Sequence, residues 1–183
     1  MSKRWIKFGV RLLIVAPLVV IASWAITDIM VHETGHAEFC GTCHTMAPMI
    51  AAYRDDVHGG ASDHGVVADC AQCHAPHNNP VNYLWAKTRF GAHDLWATLT
   101  YDLDAIDWEA KRRHSERFVF DSGCLSCHKA LESASESDHR TFVAHRPYFQ
   151  GTTSKQCVTC HSRVGHRNLS AHLSESGQGE QQP

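Results

Sequence analysis

The cysteines of this chain occur in pairs, and every pair is followed directly by a histidine. All eight cysteines belong to four copies of Cys-x-x-Cys-His, which leaves none for other chemistry. This motif is the attachment signature of c-type haem, because two cysteines on one helical turn reach two vinyl groups of a porphyrin and the histidine then faces the iron. The sequence therefore predicts four covalently bound haems, attached through Cys40 and Cys43, Cys70 and Cys73, Cys124 and Cys127, and Cys157 and Cys160.

Other uses of this cysteine pattern agree less well with the sequence. A secreted disulfide framework needs no histidine after each pair, and a zinc ribbon uses two such pairs rather than four. The formal net charge of −2 indicates neither a nucleic-acid-binding surface nor a polybasic segment. We therefore expect a haem protein with no nucleic-acid partner.

Histidines supply the predicted axial ligands of iron, and the chain has fifteen of them in 183 residues. The motif histidines are the expected proximal ligands, and four others are the leading candidates for the opposite side of each haem. The proximal set is His44, His74, His128 and His161, and the distal candidates are His58, His77, His145 and His166. We expect His166 to reach a neighbouring haem, because it follows its own motif closely, whereas His77 could line a pocket instead. The ordinary solvated histidines are predicted to be His32, His36, His114 and His172.

The first motif differs from the others by a methionine two residues beyond its histidine. Met46 either fills the protein core, as most methionines do, or ligates the first iron through its sulfur. A methionine ligand raises the potential of a haem relative to two histidines. The residues alone leave both His44 and Met46 open as ligands of the first haem.

An apolar segment long enough to cross a membrane precedes the first motif. Residues 12–31 are almost entirely apolar, and ~20 helical residues at ~1.5 Å each span the ~30 Å hydrocarbon core. The basic residues that flank the apolar segment precede it, within residues 1–11. The positive-inside rule therefore places the N-terminus in the cytoplasm and the haem domain in the periplasm. A cleaved signal peptide is the alternative, because Ser23-Trp24-Ala25 resembles a cleavage site. The apolar run continues to Val31, which favours an uncleaved, single-pass anchor in the cytoplasmic membrane.

Residues 32–166 carry all four motifs and form the predicted haem domain. The apolar residues of this domain show little of the sustained periodicity that would predict regular secondary structure. Helices are predicted at about 80–94, from an apolar stripe, and at about 104–120, from charged composition. The Ser-, Gln-, Gly- and Glu-rich residues 167–183 predict a disordered tail. Because so few residues must surround four haems, we predict a mainly α fold with long loops. A single N-terminal transmembrane helix would be followed by a small tetrahaem domain whose core is haem.

The anchor and three of the motifs together resemble a known family. The resemblance rests on Cys-Gly-Thr-Cys-His-Thr-Met after Phe39, on Cys-Ala-Gln-Cys-His-Ala-Pro-His from Cys70, and on the last motif with its Val164-Gly165-His166 ending. These features are similar to those of the NapC/NirT family of membrane-anchored multihaem quinol dehydrogenases. The four motifs alone are common to multihaem cytochromes, whereas their order, the anchor and the flanking residues are more specific. The resemblance covers about Lys3 to His166.

The resemblance implies a function for the whole chain. Members of the family oxidise menaquinol or ubiquinol at the outer face of the cytoplasmic membrane. They pass single electrons through closely packed haems to a periplasmic terminal reductase of the nitrate, nitrite, or N- or S-oxide type. The implied partners are therefore the membrane quinol pool and the reductase, either in a complex with the reductase or as a homo-oligomer.

The resemblance also implies roles for particular residues. In the branch that serves nitrite reductase, a methionine placed like Met46 binds the first iron. In the same branch a lysine and an acidic residue seven positions later form the quinol site, and these match Lys87 and Asp94. The histidines that match distal ligands are His58, His145 and His166; if His145 serves the second haem, the chain needs no ligand from a partner. We hypothesise that Asp94, together with His77 or His93, accepts the protons of the quinol.

Two other function classes remain open at the level of sequence. The chain could be a membrane-tethered electron shuttle that takes electrons from another protein and has no quinone site. It could also be a haem-based sensor that binds a small molecule at an open position of the first iron. Reduction by quinol would distinguish the quinol dehydrogenase from both.

Overall fold

The computed structural model describes residues 3–63 and 65–176, and the regular structure in those ranges is helical apart from one isolated antiparallel bridge between Gly59 and Val67. The α-helices are α1 (Lys3–Glu33), α2 (Ala37–Cys40), α3 (Ala47–Arg54), α4 (Cys70–His74), α5 (Pro80–Thr100), α6 (Trp108–Arg112), α7 (Asp121–Cys127), α8 (Leu131–Ser135), α9 (His139–Phe149), α10 (Cys157–Cys160) and α11 (Leu169–Glu175). Three short 3₁₀ turns cover His44–Met46, Leu103–Ala105 and Ser115–Arg117. The predicted mainly α fold with long loops is confirmed.

Helix α1 is the candidate membrane span of the described ranges. It has 31 residues and a mean hydropathy of 2.2 over its most apolar window, none of which is buried in the protein. The apolar segment predicted at residues 12–31 lies wholly inside it. Pro17 is accommodated within the helix, as is common in membrane spans.

The second long helix, α5, begins where the sequence predicts and continues further. The side chain of Asn79 accepts a hydrogen bond of 2.8 Å from the backbone amide of Asn82, and Pro80 takes the first helical position. Both features are standard helix-start signals. The helix then runs past the predicted end at Asp94 to Thr100, which makes it the longest helix after α1.

The single helix predicted at 104–120 is wrong. The structure forms α6 there, flanked by the two later 3₁₀ turns. The side chain of Asp102 accepts from the amide of Asp104, and that of Asp107 accepts from the amide of Ala110. Each aspartate therefore starts its own short turn, and these local caps compete with one continuous helix.

The predicted disordered tail is also wrong for residues 169–175, which form α11. Leu169 and Leu173 are only 2 % and 3 % exposed and pack against Met49 and Ala52 of α3. Asp55 at the end of α3 accepts a hydrogen bond of 2.8 Å from His172. Two leucines four residues apart thus supply an apolar stripe that the polar composition conceals. Residues 177–183 of the predicted tail lie outside the described residues.

The buried apolar side chains of the described residues are few and mostly small. They are Ala37, Met49, Ala52, Tyr53, Ala75, Ala86, Val158, Leu169 and Leu173. The helices that carry the cysteine motifs are only four to seven residues long. This thin protein core suits a chain that is predicted to wrap around porphyrins.

Candidate haem centres

Three of the four motifs lie on helical turns. Helix α4 begins at Cys70 and ends at His74, α7 contains Cys124 and Cys127, and α10 spans Cys157 to Cys160. In each case the two cysteines lie one turn apart on the same side of a helix, and the motif histidine ends or directly follows it. This is the local geometry that attachment to one porphyrin edge requires.

The first motif has a different local structure. Helix α2 ends at Cys40, and His44 to Met46 form a 3₁₀ turn instead of continuing a helix. The side chain of His44 is 82 % exposed, and its Nε2 lies 3.4 Å from Asp104 Oδ1. Met46 is partly buried and packs against the cluster that joins α3 to α11.

Neighbouring motifs contact one another in chain order. The side chains of Cys40 and Cys70 lie next to each other, and the Cys70 thiol lowers the pKa of the Cys40 thiol to about 7. The amide of Phe120 donates to the carbonyl of Cys73 over 3.0 Å, so the second motif adjoins the third. The amide of Cys157 donates to Asp121 Oδ1 over 2.9 Å, so the third adjoins the fourth. The motifs therefore form a continuous series from first to fourth.

Three motif histidines face a second histidine across a narrow gap. The ring centres of His74 and His166 are 6.1 Å apart, and those of His58 and His128 and of His145 and His161 are both 6.2 Å apart. Two imidazoles that bind opposite sides of one metal ion, each through a nitrogen about 2 Å from it, place their ring centres about 6 Å apart. The three gaps therefore match the space that one haem iron would occupy.

Hydrogen bonds fix the orientation of four of these six rings. His74 Nδ1 donates to the Phe118 carbonyl (2.9 Å) and His166 Nδ1 to the Met49 carbonyl (3.2 Å). His145 Nδ1 donates to the Thr141 carbonyl (2.8 Å) and His58 Nδ1 to Asp56 Oδ1 (2.9 Å). A proton held on Nδ1 leaves Nε2 as the free lone pair, which is the usual arrangement of metal-binding histidines.

Burial also favours the neutral, ligating form of two of the rings. Burial lowers the pKa of His166 to about 4, and it lowers the pKa of His74 as well. A neutral imidazole is the form that binds metal. The gaps and hydrogen bonds of the three pairs, together with the lowered pKa values of His74 and His166, therefore fit bis-histidine haem.

Three of the four predicted distal histidines lie opposite a motif histidine. His166 faces the second motif, His58 faces the third, and His145 faces the fourth. The expectation that His166 reaches beyond its own motif agrees with this arrangement, whereas a place for His145 beside the second haem does not. His77 faces the ring of Tyr83, with ring centres 5.2 Å apart, and its amide donates to Ser122 Oγ.

Lys87 and Asp94 lie seven residues apart on the same side of α5. Lys87 Nζ donates a hydrogen bond to the carbonyl of Val31 near the end of α1 and lies 5.7 Å from the centre of the Tyr83 ring. Burial lowers the pKa of Lys87. Asp94 is 79 % exposed and accepts from His93 Nδ1 over 3.3 Å. Both charges act on the thiol of Cys40: Lys87 lowers its pKa and Asp94 raises it.

A cavity of about 170 Å³ lies beside Lys87, between the end of α1 and the starts of α4 and α5. Its polar lining consists of Asp28, His32, Asp69, Gln72 and Tyr83. A Cβ on Gly35, which also lines the cavity, would lie 3.5 Å from Lys87 Nζ. The cavity therefore adjoins the lysine at the level where the apolar helix ends.

Two histidines beside this cavity were predicted to be ordinary solvated residues, and the structure gives them partners. His36 Nδ1 donates to Asp69 Oδ1 over 2.7 Å, which raises the pKa of His36. His36 Nε2 shares a second hydrogen bond of 3.2 Å with His32 Nδ1. The signal in the sequence is the spacing of four residues between two histidines at the end of an apolar helix, but their partner Asp69 is distant in the chain.

Comparisons with known proteins agree with this geometry. The sequence model of the NapC/NirT cytochrome c family, N-terminal region, matches residues 2–171. The tetrahaem c-type cytochrome CymA of Shewanella oneidensis is 29 % identical over 174 residues, which cover 87 % of this chain and 91 % of CymA. The cytochrome c-type protein TorY of Escherichia coli is 28 % identical over 170 residues; the match covers 87 % of this chain but only 45 % of TorY.

One solved structure shares the fold. It is a crystal structure of the cytochrome c nitrite reductase NrfHA complex bound to the HQNO inhibitor. The similar chain has a TM-score of 0.54 and 24 % identity, and the match covers 85 % of this chain and 90 % of that chain. The family match spans the apolar helix, all four motifs and the three histidine pairs. The chain thus belongs to the NapC/NirT cytochrome c family and is a multihaem c-type cytochrome of electron transport.

Proposed function

We propose that this protein oxidises membrane quinol, either menaquinol or ubiquinol, and passes the electrons to a periplasmic terminal reductase. The observation behind the proposal is that Lys87 bonds to the end of the apolar helix, beside a cavity whose lining includes several polar side chains, and lies within electrostatic reach of the first haem motif. A quinol leaving the bilayer would meet a hydrogen-bond donor, proton acceptors and a haem attachment site at one place. The solved NrfHA complex suggests a reductase as the partner, because one chain of that complex shares the fold of this protein.

The proposed haem ligands follow the geometry. The pairs His74 and His166, His58 and His128, and His145 and His161 would hold the second, third and fourth irons, since the gap between the rings of each pair has room for one iron. Met46 would hold the first iron, because the alternative ligand His44 lies at the surface beside Asp104. When bound, the haems supply reversible one-electron steps, and the contacts between successive motifs keep them close together.

The cavity beside Lys87 is the proposed site of the quinol ring. An engineered cavity of about 150 Å³ accepts benzene, so the present volume of about 170 Å³ has room for one aromatic ring. The ammonium of Lys87 uses one N–H on Val31 and keeps two others for an oxygen of the quinol. The isoprenoid tail would remain in the bilayer next to α1.

Oxidation of a quinol to a quinone releases two electrons and two protons, and the chain offers two proton acceptors. Asp94, hydrogen-bonded to His93, lies about two helical turns from Lys87 on the same side of α5. On the other side of the cavity, Asp69, His36 and His32 form a hydrogen-bonded series that ends at an exposed imidazole. A carboxylate or imidazole within reach of the hydroxyl is what proton abstraction requires. His77, which contacts Tyr83 of the cavity wall, is a further candidate.

The test measures the rate at which quinol reduces the haems of the full-length protein in lipid nanodiscs. Stopped-flow absorbance monitors the reduction. Lys87→Gln and Asp94→Asn should each slow the reaction by about tenfold or more, because a donor or a proton acceptor is lost. Haem content and reduction by dithionite should not change. The matched controls are Lys111→Gln and Asp63→Asn, both at exposed positions away from the cavity.

The outcome also separates the competing functions. Variants that match the wild-type rate would remove Lys87 and Asp94 from the quinol site. A wild-type protein that is not reduced by quinol, but is reduced by a protein donor, would instead be a tethered electron shuttle. A first haem that binds carbon monoxide or nitric oxide, with no reduction by quinol, would favour the sensor.

A further inference from the structure

Helix α5 exposes a continuous apolar face. Its large apolar residues on that face are between 40 % and 74 % exposed. They are Val81, Leu84, Trp85, Leu95, Trp96 and Leu99. At 3.6 residues per turn these six positions fall within a sector of about 120°. Thr88 and Ala92 complete the sector, so it contains no charged residue over the length of the helix.

The opposite face of the same helix makes the contacts with the protein. Ala86 is buried, and Phe90 lies 6.3 Å from Phe120, measured between ring centres. Lys87 bonds to Val31 from this side. The exposed apolar sector is therefore not the core-facing stripe of an ordinary amphipathic helix. It points away from the domain.

Helix α5 lies beside the end of the candidate membrane span. The bond between Lys87 and Val31 fixes α5 beside the last turn of α1. The apolar surface of α1 remains exposed up to that turn, with Ile29 and Met30 58 % and 57 % exposed. Helix α5, with its exposed apolar face, thus lies beside the end of a helix that is long and apolar enough to span the bilayer.

The composition of the face matches the boundary between headgroups and acyl chains. Trp85 and Trp96 lie within it, and Tyr101, 64 % exposed, directly follows the helix. Tryptophan and tyrosine are enriched at this depth because their rings are apolar and their N–H or O–H groups are polar. Arg89 is exposed at the edge of the sector, where its guanidinium can reach lipid phosphates.

We propose that α5 lies in the plane of the membrane, with the sector from Val81 to Leu99 inserted among the lipids as a second membrane contact. Such helices bury their apolar face about 5–10 Å into the headgroup and acyl boundary. The bilayer is the occupant, because α5 lies beside the end of the candidate membrane span and its exposed face carries interfacial aromatic residues. The contact does not depend on quinol oxidation, but it would hold Lys87 and the cavity at the membrane surface.

The experiment uses the full-length holoprotein in nanodiscs of phosphatidylethanolamine and phosphatidylglycerol. A small fraction of the lipid carries a diazirine near the glycerol end of one acyl chain, and the adducts formed on illumination are located by peptide mass spectrometry. The expected adducts fall on α1 and on the Val81–Leu99 sector of α5. Adducts confined to α1 would overturn the proposal, as would cross-links that join α5 to a second protein chain instead of lipid.

Two matched variants test whether the sector itself makes the contact. Trp85→Lys combined with Leu99→Lys places charges in the apolar face and should remove most of the α5 adducts. Asn82→Lys combined with Thr98→Lys places the same charges on exposed positions of the same helix outside the sector, and should leave the adducts unchanged. Equal loss in both variants would show that the adducts do not depend on the apolar face. Haem absorbance checks that each protein has folded, and the adduct map of the wild type is decisive even if a variant does not fold.

Discussion

Individual side chains orient the proposed iron ligands before any metal is considered. Asp56 is buried and accepts two hydrogen bonds from His58, one from its amide and one from Nδ1, each 2.9 Å long. Backbone carbonyls play the same part for His74, His145 and His166. Such partners commonly change metal affinity by about 10–100-fold when they are removed. The ligand set is therefore supported by a second set of residues that no motif records.

The first haem offers the sharpest prediction at the scale of residues. Met46→Ala should remove the spectroscopic signature of a methionine-ligated iron and lower the potential of that haem, because methionine raises it relative to histidine. His44→Ala should leave both properties unchanged, because its ring lies at the surface beside Asp104. Low-temperature paramagnetic resonance of the oxidised protein, with a redox titration, measures both. The reverse pattern would assign the iron to His44.

The sequence identifies the histidines that face the motif histidines, but it does not predict which motif histidine each of them faces. His58, His145 and His166 are predicted from the sequence as distal ligands, and in the structure each of them faces a motif histidine. The partners could not be predicted, because they depend on how the chain folds back on itself over long distances. His36 was missed for the same reason, since its ring is held by Asp69.

Among the helices, the contact of α4 with α7 joins the middle of the haem series. Gly123 lies so close to α4 that a Cβ there would come within 1.9 Å of the Gln72 carbonyl oxygen. The amide of Phe120 bonds to the carbonyl of Cys73 at the same contact. A side chain at position 123 would therefore force the second and third motifs apart.

Gly123→Ala should accordingly slow the spread of electrons from the first two haems to the last two and destabilise the holoprotein. The clash is with backbone, so neither helix can relieve it by moving a side chain alone. Gly91→Ala is the control, because the Cβ added there on α5 meets no atom within 4 Å. Inter-haem equilibration after rapid partial reduction provides the measurement, with guanidinium unfolding beside it. Equal behaviour of the two variants would contradict the tight contact.

Some helix boundaries can be predicted from local sequence patterns, and others cannot. The start of α5 was predictable because Asn79 and Pro80 are local signals, and the extension to Thr100 continues the same apolar stripe. The break of residues 104–120 into short turns depends on aspartate caps that a composition-based prediction overlooks. Helix α11 needed recognition of two leucines within a polar segment, whose partners lie on α3.

At the scale of the whole molecule, the anchor and the haem domain set an orientation across the membrane. The basic residues before the span predict a cytoplasmic N-terminus. Alkaline phosphatase, which requires an oxidising compartment for its disulfides, should therefore be active when fused after Glu175. The same reporter fused before Met1 should be inactive. Activity in the second fusion and not in the first would reverse the orientation.

The series of motifs along the molecule could be predicted only in part. Haem attachment, the anchor and the mainly helical fold follow from Cys-x-x-Cys-His and from the apolar segment. The adjacency of each motif with the next requires long-range contacts such as that between Cys157 and Asp121. The cavity beside Lys87 brings the end of α1 together with the starts of α4 and α5, which lie much later in the chain.

The pairing of His74 with His166 has a consequence for assembly. With iron between them, as proposed, the two rings would close a loop that contains the third and fourth motifs. Cross-links that close long loops restrict the unfolded chain and stabilise the folded one. The second haem would then acquire its final ligand only after the last part of the domain has been exported and folded. A chain that stops before His166 should keep four attached haems but show a second iron that is open to carbon monoxide.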